Sequence, residues 1–320
     1  MFDIVALGEI LIDFTPSGVN EQGMTLFARN PGGAPANVLA MAGRLGKKTA
    51  FIGKVGTDAF GDFLCRTLTA NGIDTVGLAR DPEIPTTLAI VQLDERGDRS
   101  FTFYRKPGAD MMLSWQEMDR QLPAAGRVFH FGSVSLTDDP SREATLRAAA
   151  CAKEAGCCVS FDPNYRAPLW QSAAQARETI QKGVALTDLL KVSDEELTFL
   201  TGEGEIEAGA AQLLEQGPAL VLVSLGERGC YYHNAVTSGY LPGYRVNAVD
   251  TTGAGDAFLG AALSQLGGAG HEELAQMTKE QLEAVLRFAN AAGALTTTRG
   301  GAIPAMPTEE QIKNLIAAER

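Results

Sequence analysis

Short apolar runs alternate with helical patterns along most of this 320-residue chain, and that rhythm limits the folds open to it. IVALG at 4–8 is short and rich in branched residues, as a buried strand requires. The helical pattern ANVLAMAGRLG follows at 36–46, then a strand, TAFIGKVG, at 49–56 and a helix, DAFGDFLCRTLTANG, at 58–72. Further strands are expected at 128–135, 158–163, 189–193 and 219–226, with helices near 141–155, 172–186 and 194–201. Such alternation is the pattern of β-α-β units. It predicts an α/β fold: a mainly parallel sheet with helices on both faces. No linker, repeat or low-complexity tract divides the chain, so residues 1–320 read as one domain.

Two segments break the rhythm. Residues 11–30 and 86–106 are strand-like but have no helix between their strands. The second reads as a hairpin turning at DERGD, 94–98. Together they suggest a small β-sheet projecting from the main body as a lid, a device that excludes water on closure; a decorative edge hairpin would look the same. The last third is rich in Ala and Gly, and 251–266 and 283–304 both read as closely packed helices.

Charge narrows the partners. Lys plus Arg number 27 against 39 Asp plus Glu, a net charge of −12, and such a chain repels nucleic-acid phosphates. Hydrophobic residues make up 45%, enough for a full core, and no run of ~18 apolar residues marks a membrane span. Five cysteines without a CxxC pair, behind an N-terminus with no signal peptide, read as reduced thiols in a soluble, cytoplasmic protein. Cys157 and Cys158 fit as small core residues, and His130, in an apolar strand, as a satisfied core histidine.

The segment richest in chemistry is DTTGAGDAF, 250–258. Gly253, Ala254 and Gly255 stand just before an apolar helix. A helix N-terminus leaves N–H groups unpaired and carries partial positive charge, and small residues let an anion touch it. Asp256, in the first turn, could take a proton from a hydroxyl attacking phosphorus, or could simply cap the helix.

DTTGAGDAF resembles the C-terminal signature of the ribokinase-like (pfkB-type) carbohydrate kinases, and PGGAPANV at 31–38 resembles their N-terminal one. The resemblance spans essentially the whole chain. It implies a Rossmann-like domain with a β lid, ATP as co-substrate and Mg²⁺ as cofactor. Asp256 matches the catalytic base, and the backbone around 253–256 matches an anion hole for the transferred phosphoryl group. Asp13, Gly33 and Asn37 match sugar-site positions. On their own they would read as a loop acid, a turn glycine and a helix cap.

FYRKPGADMML (103–113), HFGSVSLTD (130–138) and DPNYR (162–166) resemble fructokinases closely. They imply that Arg105, from the lid, and Arg166, from a strand end, approach the substrate. KVSDEELTFLTG (191–202) and SLGERG (224–229) resemble ATP-site segments. They imply that Lys191 and Ser193 lie near the phosphates, that Ser224, Gly226 and Gly229 turn beneath the ribose, and that Asn290 sits near the adenine. Ser193 stands where the family usually has Asn, and Glu196 keeps the acidic position that serves Mg²⁺ through water. Asp250, Thr252, Thr296, Arg299, Gly301 and Ala305 match a monovalent-cation site suited to K⁺.

No P-loop is present, since position 41, where its first glycine would stand before Gly46, is Met. GxGxxG, HExxH and GxSxG are absent as well, and the three histidines are far apart. The expectation is an ATP-dependent sugar kinase acting on D-fructose at its 6-hydroxyl. 2-Keto-3-deoxygluconate and aminoimidazole riboside are alternative substrates, and a non-catalytic sugar or nucleotide sensor is the rival of another class. Apolar lid residues such as Leu88, Ile90, Phe101 and Phe103 suggest a homodimer formed lid to lid.

Overall fold

The computed structural model describes residues 1–93 and 99–319, and the alternation of strand and helix is present in it. The chain opens with β1 (Phe2–Leu7), β2 (Leu11–Val19), β3 (Thr25–Gly32) and α1 (Ala34–Arg44). β4 (Thr49–Gly56), α2 (Ala59–Ala70), β5 (Ile73–Asp81), β6 (Leu88–Leu93) and β7 (Arg99–Tyr104) follow. β8 (Gly126–Gly132), α3 (Ser141–Glu154), β9 (Cys158–Asp162), α4 (Ala173–Val184), β10 (Leu189–Ser193) and α5 (Asp194–Thr201) form the middle. α6 (Ile206–Leu214), β11 (Leu220–Ser224), β12 (Cys230–Asn234) and β13 (Ser238–Leu241) precede the last helices. These are α7 (Ala254–Leu266), α8 (His271–Gln276), α9 (Lys279–Thr296) and α10 (Glu309–Ala318).

Nine strands form one sheet in the order β13-β12-β11-β10-β9-β8-β1-β4-β5, parallel except for β12 and β13. Alternate residues of the strands feed two cores. Ile4, Ala6, Val128 and Leu189 face α1, α2 and α7 to α10; Val5, Leu7, Phe129 and Leu190 face α3 to α6. Strands buried on both faces explain the continuous apolar runs in the sequence. The chain lays β4 and β5 on one side of β1 and later returns to place β8 on its other side, so strand order switches there. Ligands of open α/β sheets bind beyond the C-terminal strand ends at such a switch.

Segments 11–30 and 86–106 supply a second sheet, β3-β2-β6-β7. The DERGD turn lies outside the described residues. Leu88, Ile90 and Phe103 are half-buried in this sheet; exposed large apolar side chains are Val19, Leu26, Phe27 and Tyr104 on its strands and Met24 in the turn before β3.

Other expectations need correction. The strand expected over 128–135 ends at Gly132, where the chain enters a 3₁₀ turn at Val134–Leu136. The helix expected through 304 ends at Thr296, because the following segment turns back and the Gly301 N–H is captured by Asp250 Oδ2 at 3.0 Å. Cys157 and Cys158 are buried, as expected. His130 is only half satisfied: Nδ1 lies 3.2 Å from Ser160 Oγ, while Nε2 has no partner among the described residues. Burial holds this imidazole neutral, down at about 3. No helix among the described residues is long and apolar enough to cross a membrane.

Candidate active site

Gly253 begins α7 in the left-handed region (φ 77°), and a Cβ there would press on Ala302. Glycine suits both demands. The Ala254 N–H is spent on Thr251 O at 3.2 Å, and the helical ladder starts with Ala257 N–H to Gly253 O at 2.8 Å. Between them, the Gly255 and Asp256 amides have no acceptor among the described residues, as expected of a first helical turn. Of the stretch expected as an anion hole, 253–256, the Ala254 amide alone is seen spent on another backbone group among the described residues. Lys191 Nζ closes one side of it, 3.1 Å from where a Cβ on Gly255 would stand.

Asp256 is not the helix cap; Gly253 is, with no side-chain capping bond. The Asp256 carboxylate is buried and held from two directions. Asn37 Nδ2 donates to Oδ2 at 2.8 Å and Asn164 Nδ2 to Oδ1 at 3.3 Å. Asn37 therefore does not cap α1 either: it sits inside the helix and points across to α7. Burial raises the Asp256 carboxyl from 3.8 to about 6, and the nearby Asp162 charge adds to the rise; Asn37, Lys191 and Arg166 oppose it. The result is a carboxylate that is ionised at neutral pH yet basic enough to accept a proton.

Asp162 ends β9 and pairs with Lys191 Nζ at 2.9 Å. Burial alone would depress this ammonium, but Asp162, Glu196 and Asp256 hold it above its ordinary value. Asp162 Oδ1 also accepts the Asn164 N–H at 3.2 Å, which steadies Asn164 in a left-handed conformation (φ 45°). Sequence reasoning quoted the DPNYR motif but missed both residues. The signal was there: Asn is among the few side chains that tolerate positive φ, and this one follows a strand end.

The residues expected to hold the sugar lie on β2 and around it. Asp13 is half-buried, and a side chain on Gly32 would strike its carboxylate. Burial lifts Asp13 to about 6, and Arg166 lowers it. Arg166 is exposed, donates to Tyr165 O at 3.2 Å, and acts electrostatically on both Asp13 and Asp256. Asp13, Asn37, Arg166 and Asp256 are thus brought together. Gly33 (φ 121°) packs so tightly on the Glu9 carbonyl that no Cβ could fit.

Arg105 departs from expectation. Its guanidinium is 4% exposed and donates to Asp110 Oδ2 (2.7 Å), Thr137 Oγ1 (2.9 Å) and Val134 O (3.0 Å). Three of its five N–H donors are held by the protein.

Next to the start of α7 opens a cavity of about 1020 Å³, lined by Ser224, Gly226, Gly229, Ala254, Gly255 and Asn290 among others. Its size suits a nucleotide. Gly226 (φ 61°) and Gly229 (φ 97°) make the turn that forms one wall. Asn290 donates to Leu241 O and Pro242 O, pinning the opposite wall. Ser193 lies at the N-cap of α5, where its Oγ accepts the Glu196 N–H at 3.1 Å, so its hydroxyl is used locally. Glu196 answers with Oε2 on the Ser193 N–H (2.9 Å) and reaches the Tyr165 N–H with Oε1 (2.7 Å).

Asp250 clasps the two loops of the expected cation site. Its Oδ1 accepts from Thr252 N and Oγ1 at 2.9 and 2.7 Å, and Oδ2 accepts from Gly301 N. Thr296 and Ala305 are buried close by in sequence, whereas Arg299 is exposed.

Residues 1–309 match the model of the pfkB family carbohydrate kinases. The chain is 46% identical to "Probable fructokinase-2" of Arabidopsis thaliana, over 96% of this chain and 93% of that one. A structure of fructokinase from Xylella fastidiosa with bound ATP superposes with a TM-score of 0.92, at 35% identity, over 99% of this chain and 98% of the other. A double mutant of the Vibrio cholerae O395 fructokinase, in its fructose, ADP and potassium ion bound form, gives 0.88 at 36% identity, over 98% of both chains. The protein is a member of the pfkB family of carbohydrate kinases.

Proposed function

We propose that this chain phosphorylates D-fructose at its 6-hydroxyl with ATP. The observation that carries the reading is the buried Asp256 carboxylate, held by Asn37 and Asn164 in the first turn of α7, where Lys191 lies beside Gly255. Asp13 and Arg166 would hold the sugar, and the cavity beside Gly255 would hold the nucleotide. Asp256 would accept the hydroxyl proton as the oxygen attacks the γ-phosphorus. The Gly255 and Asp256 amides and Lys191 would stabilise charge on the transferred group, and one such preorganised donor contributes ~2.7–4 kcal/mol. The relatives named fructokinase, one bound to ATP and one to fructose and ADP, support the substrate pair.

Mg²⁺ fits as the ion of the nucleotide. Each Glu196 oxygen accepts one backbone amide and keeps a lone pair free, so the side chain can meet the ion through water. When bound, the ion neutralises phosphate charge. K⁺ would sit among the carbonyls of the loops that Asp250 joins, and the potassium-bound relative supports that. Five unpaired thiols fit a reducing, cytoplasmic setting. Val19, Met24, Leu26, Phe27 and Tyr104, exposed on and beside one small sheet, support dimerisation through that sheet, and light scattering would reveal the mass.

The test is turnover of ATP with a panel of sugars. Fructose should give the highest kcat/KM. A preference for 2-keto-3-deoxygluconate or aminoimidazole riboside would overturn the fructose assignment, and no turnover with any sugar would favour a sensor.

A further inference from the structure

Four chain segments join the small sheet to the large one: 8–10, Gly33, 82–87 and the stretch that follows β7 from Arg105. All four converge on one buried cluster of charge. Glu9 belongs to the first segment. Its Oε1 accepts the Ala34 N–H at 2.9 Å, which binds the second segment at the start of α1. Thr87 belongs to the third. Its Oγ1 donates to Asp110 Oδ1 at 2.5 Å, while its carbonyl accepts the Ile12 N–H of β2 at 3.1 Å. Arg105 begins the fourth, and its Nε donates to Asp110 Oδ2 at 2.7 Å. The remaining guanidinium bonds run to Thr137 and Val134, just beyond β8 in the large body.

The cluster is buried, and burial raises the Glu9 carboxyl to about 7, so Arg105 and Asp110 are its lasting charge pair. Arg105, Asp110 and Glu9 are 4%, 5% and 4% exposed. Glu9 feels Asp110 as a repelling charge and Arg105 as an attracting one. Glu9 Oε2 has no partner among the described residues. Buried ion pairs add little stability over apolar residues of the same size, but removing one partner is strongly destabilising. Charges at a crossing of four segments therefore serve to fix geometry. The geometry at stake is the tilt of β2, which carries Asp13, relative to α7, which carries Asp256.

We propose that the Arg105–Asp110–Glu9 cluster is a hinge lock that sets the small sheet over the sugar pocket, with Arg105 and Asp110 as positioning residues for sugar capture. The proposal rests on the reading of this site as a sugar kinase. It gives Arg105 a role without substrate contact.

Asp110→Asn keeps the shape and removes the charge that anchors Arg105. Backbone hydrogen exchange of this variant should speed up by about tenfold or more at 88–92 and 102–104, while 189–192 and 220–223 keep wild-type rates. The KM for fructose should rise roughly fivefold or more, with the KM for ATP within about twofold. Thr87→Val, which deletes one hydroxyl, should move both readouts in the same direction and serves if Asp110→Asn does not fold. Unchanged exchange in the small sheet would overturn the proposal. So would equal acceleration in both sheets, or faster exchange with an unaltered fructose KM. A wild-type enzyme inactive on fructose would count against the substrate assignment, and the exchange experiment would still decide the lock.

Discussion

Asn37 donates a 2.8 Å hydrogen bond to Asp256, and the bond joins two glycine-rich motifs 219 residues apart in sequence. Through it the first turns of α1 and α7 share one polar centre. The start of α1 and the start of α7 are thereby held in a fixed relation. Asn164 completes the grip from the end of β9. Each Asp256 oxygen accepts one amide hydrogen and keeps a lone pair for an incoming hydroxyl.

The pH dependence of the rate should report this centre. Asp256 must be ionised to act as a base, and burial sets its carboxyl at about 6. kcat should therefore fall below about pH 6 with a one-proton slope. Asp13 is raised to about 6 as well, so kcat/KM for fructose should fall more steeply, because the free enzyme must lose two protons. Steady-state kinetics across that range checks both slopes. A kcat that stays flat down to about pH 5 would contradict the assignment.

The same burial costs stability. Between 3.8 and about 6 the folded protein binds a proton at Asp256 that the unfolded chain has already released. Stability from this group is thus greatest below the lower value and declines as pH rises through the window. The loss at neutral pH is on the order of 3 kcal/mol. Asp256→Asn should accordingly melt a few degrees above wild type near neutral pH, and the gap should close toward about pH 4. Thermal melts at both ends check this, and a pH-independent gap would contradict it.

Gly255 offers a test of the anion hole. A Cβ there would stand 3.1 Å from Lys191 Nζ, and the longer Val side chain would push the ammonium off Asp162. Gly255→Val should lower kcat by about 10² or more, the size of a lost oxyanion donor, with a much smaller effect on the melting temperature. Collapse of the fold would instead make the glycine a packing residue.

Much of the fold was legible because strands buried on both faces leave unmistakable apolar runs, as at 49–56 and 219–226. β5 was missed because IDTVGLARD at the sheet edge mixes exposed and buried positions without such a run. The β12–β13 hairpin was missed too; its strands are short. Within the site, Asp256 was legible from its place at a glycine-rich helix start, whereas Asn37 alone read as a helix cap and stood out only through the resemblance of PGGAPANV. Arg105 was not legible, because a guanidinium looks the same in sequence whether it meets a substrate or Asp110. Its burial depends on Val134 and Thr137, about thirty residues away, which only tertiary packing brings near. Asp162 acquires meaning only when β9 and β10 pair and place Lys191 beside it.

The central claim is that Asp256 removes the proton from the attacking hydroxyl, and Asp256→Asn tests it most directly. The substitution preserves size and leaves an oxygen for Asn37 or Asn164. Kinetics with fructose and ATP should show kcat reduced by ~10²–10⁴, the usual contribution of a general base, with ATP affinity within about twofold of wild type. A variant that keeps more than about a tenth of the wild-type kcat would contradict the account.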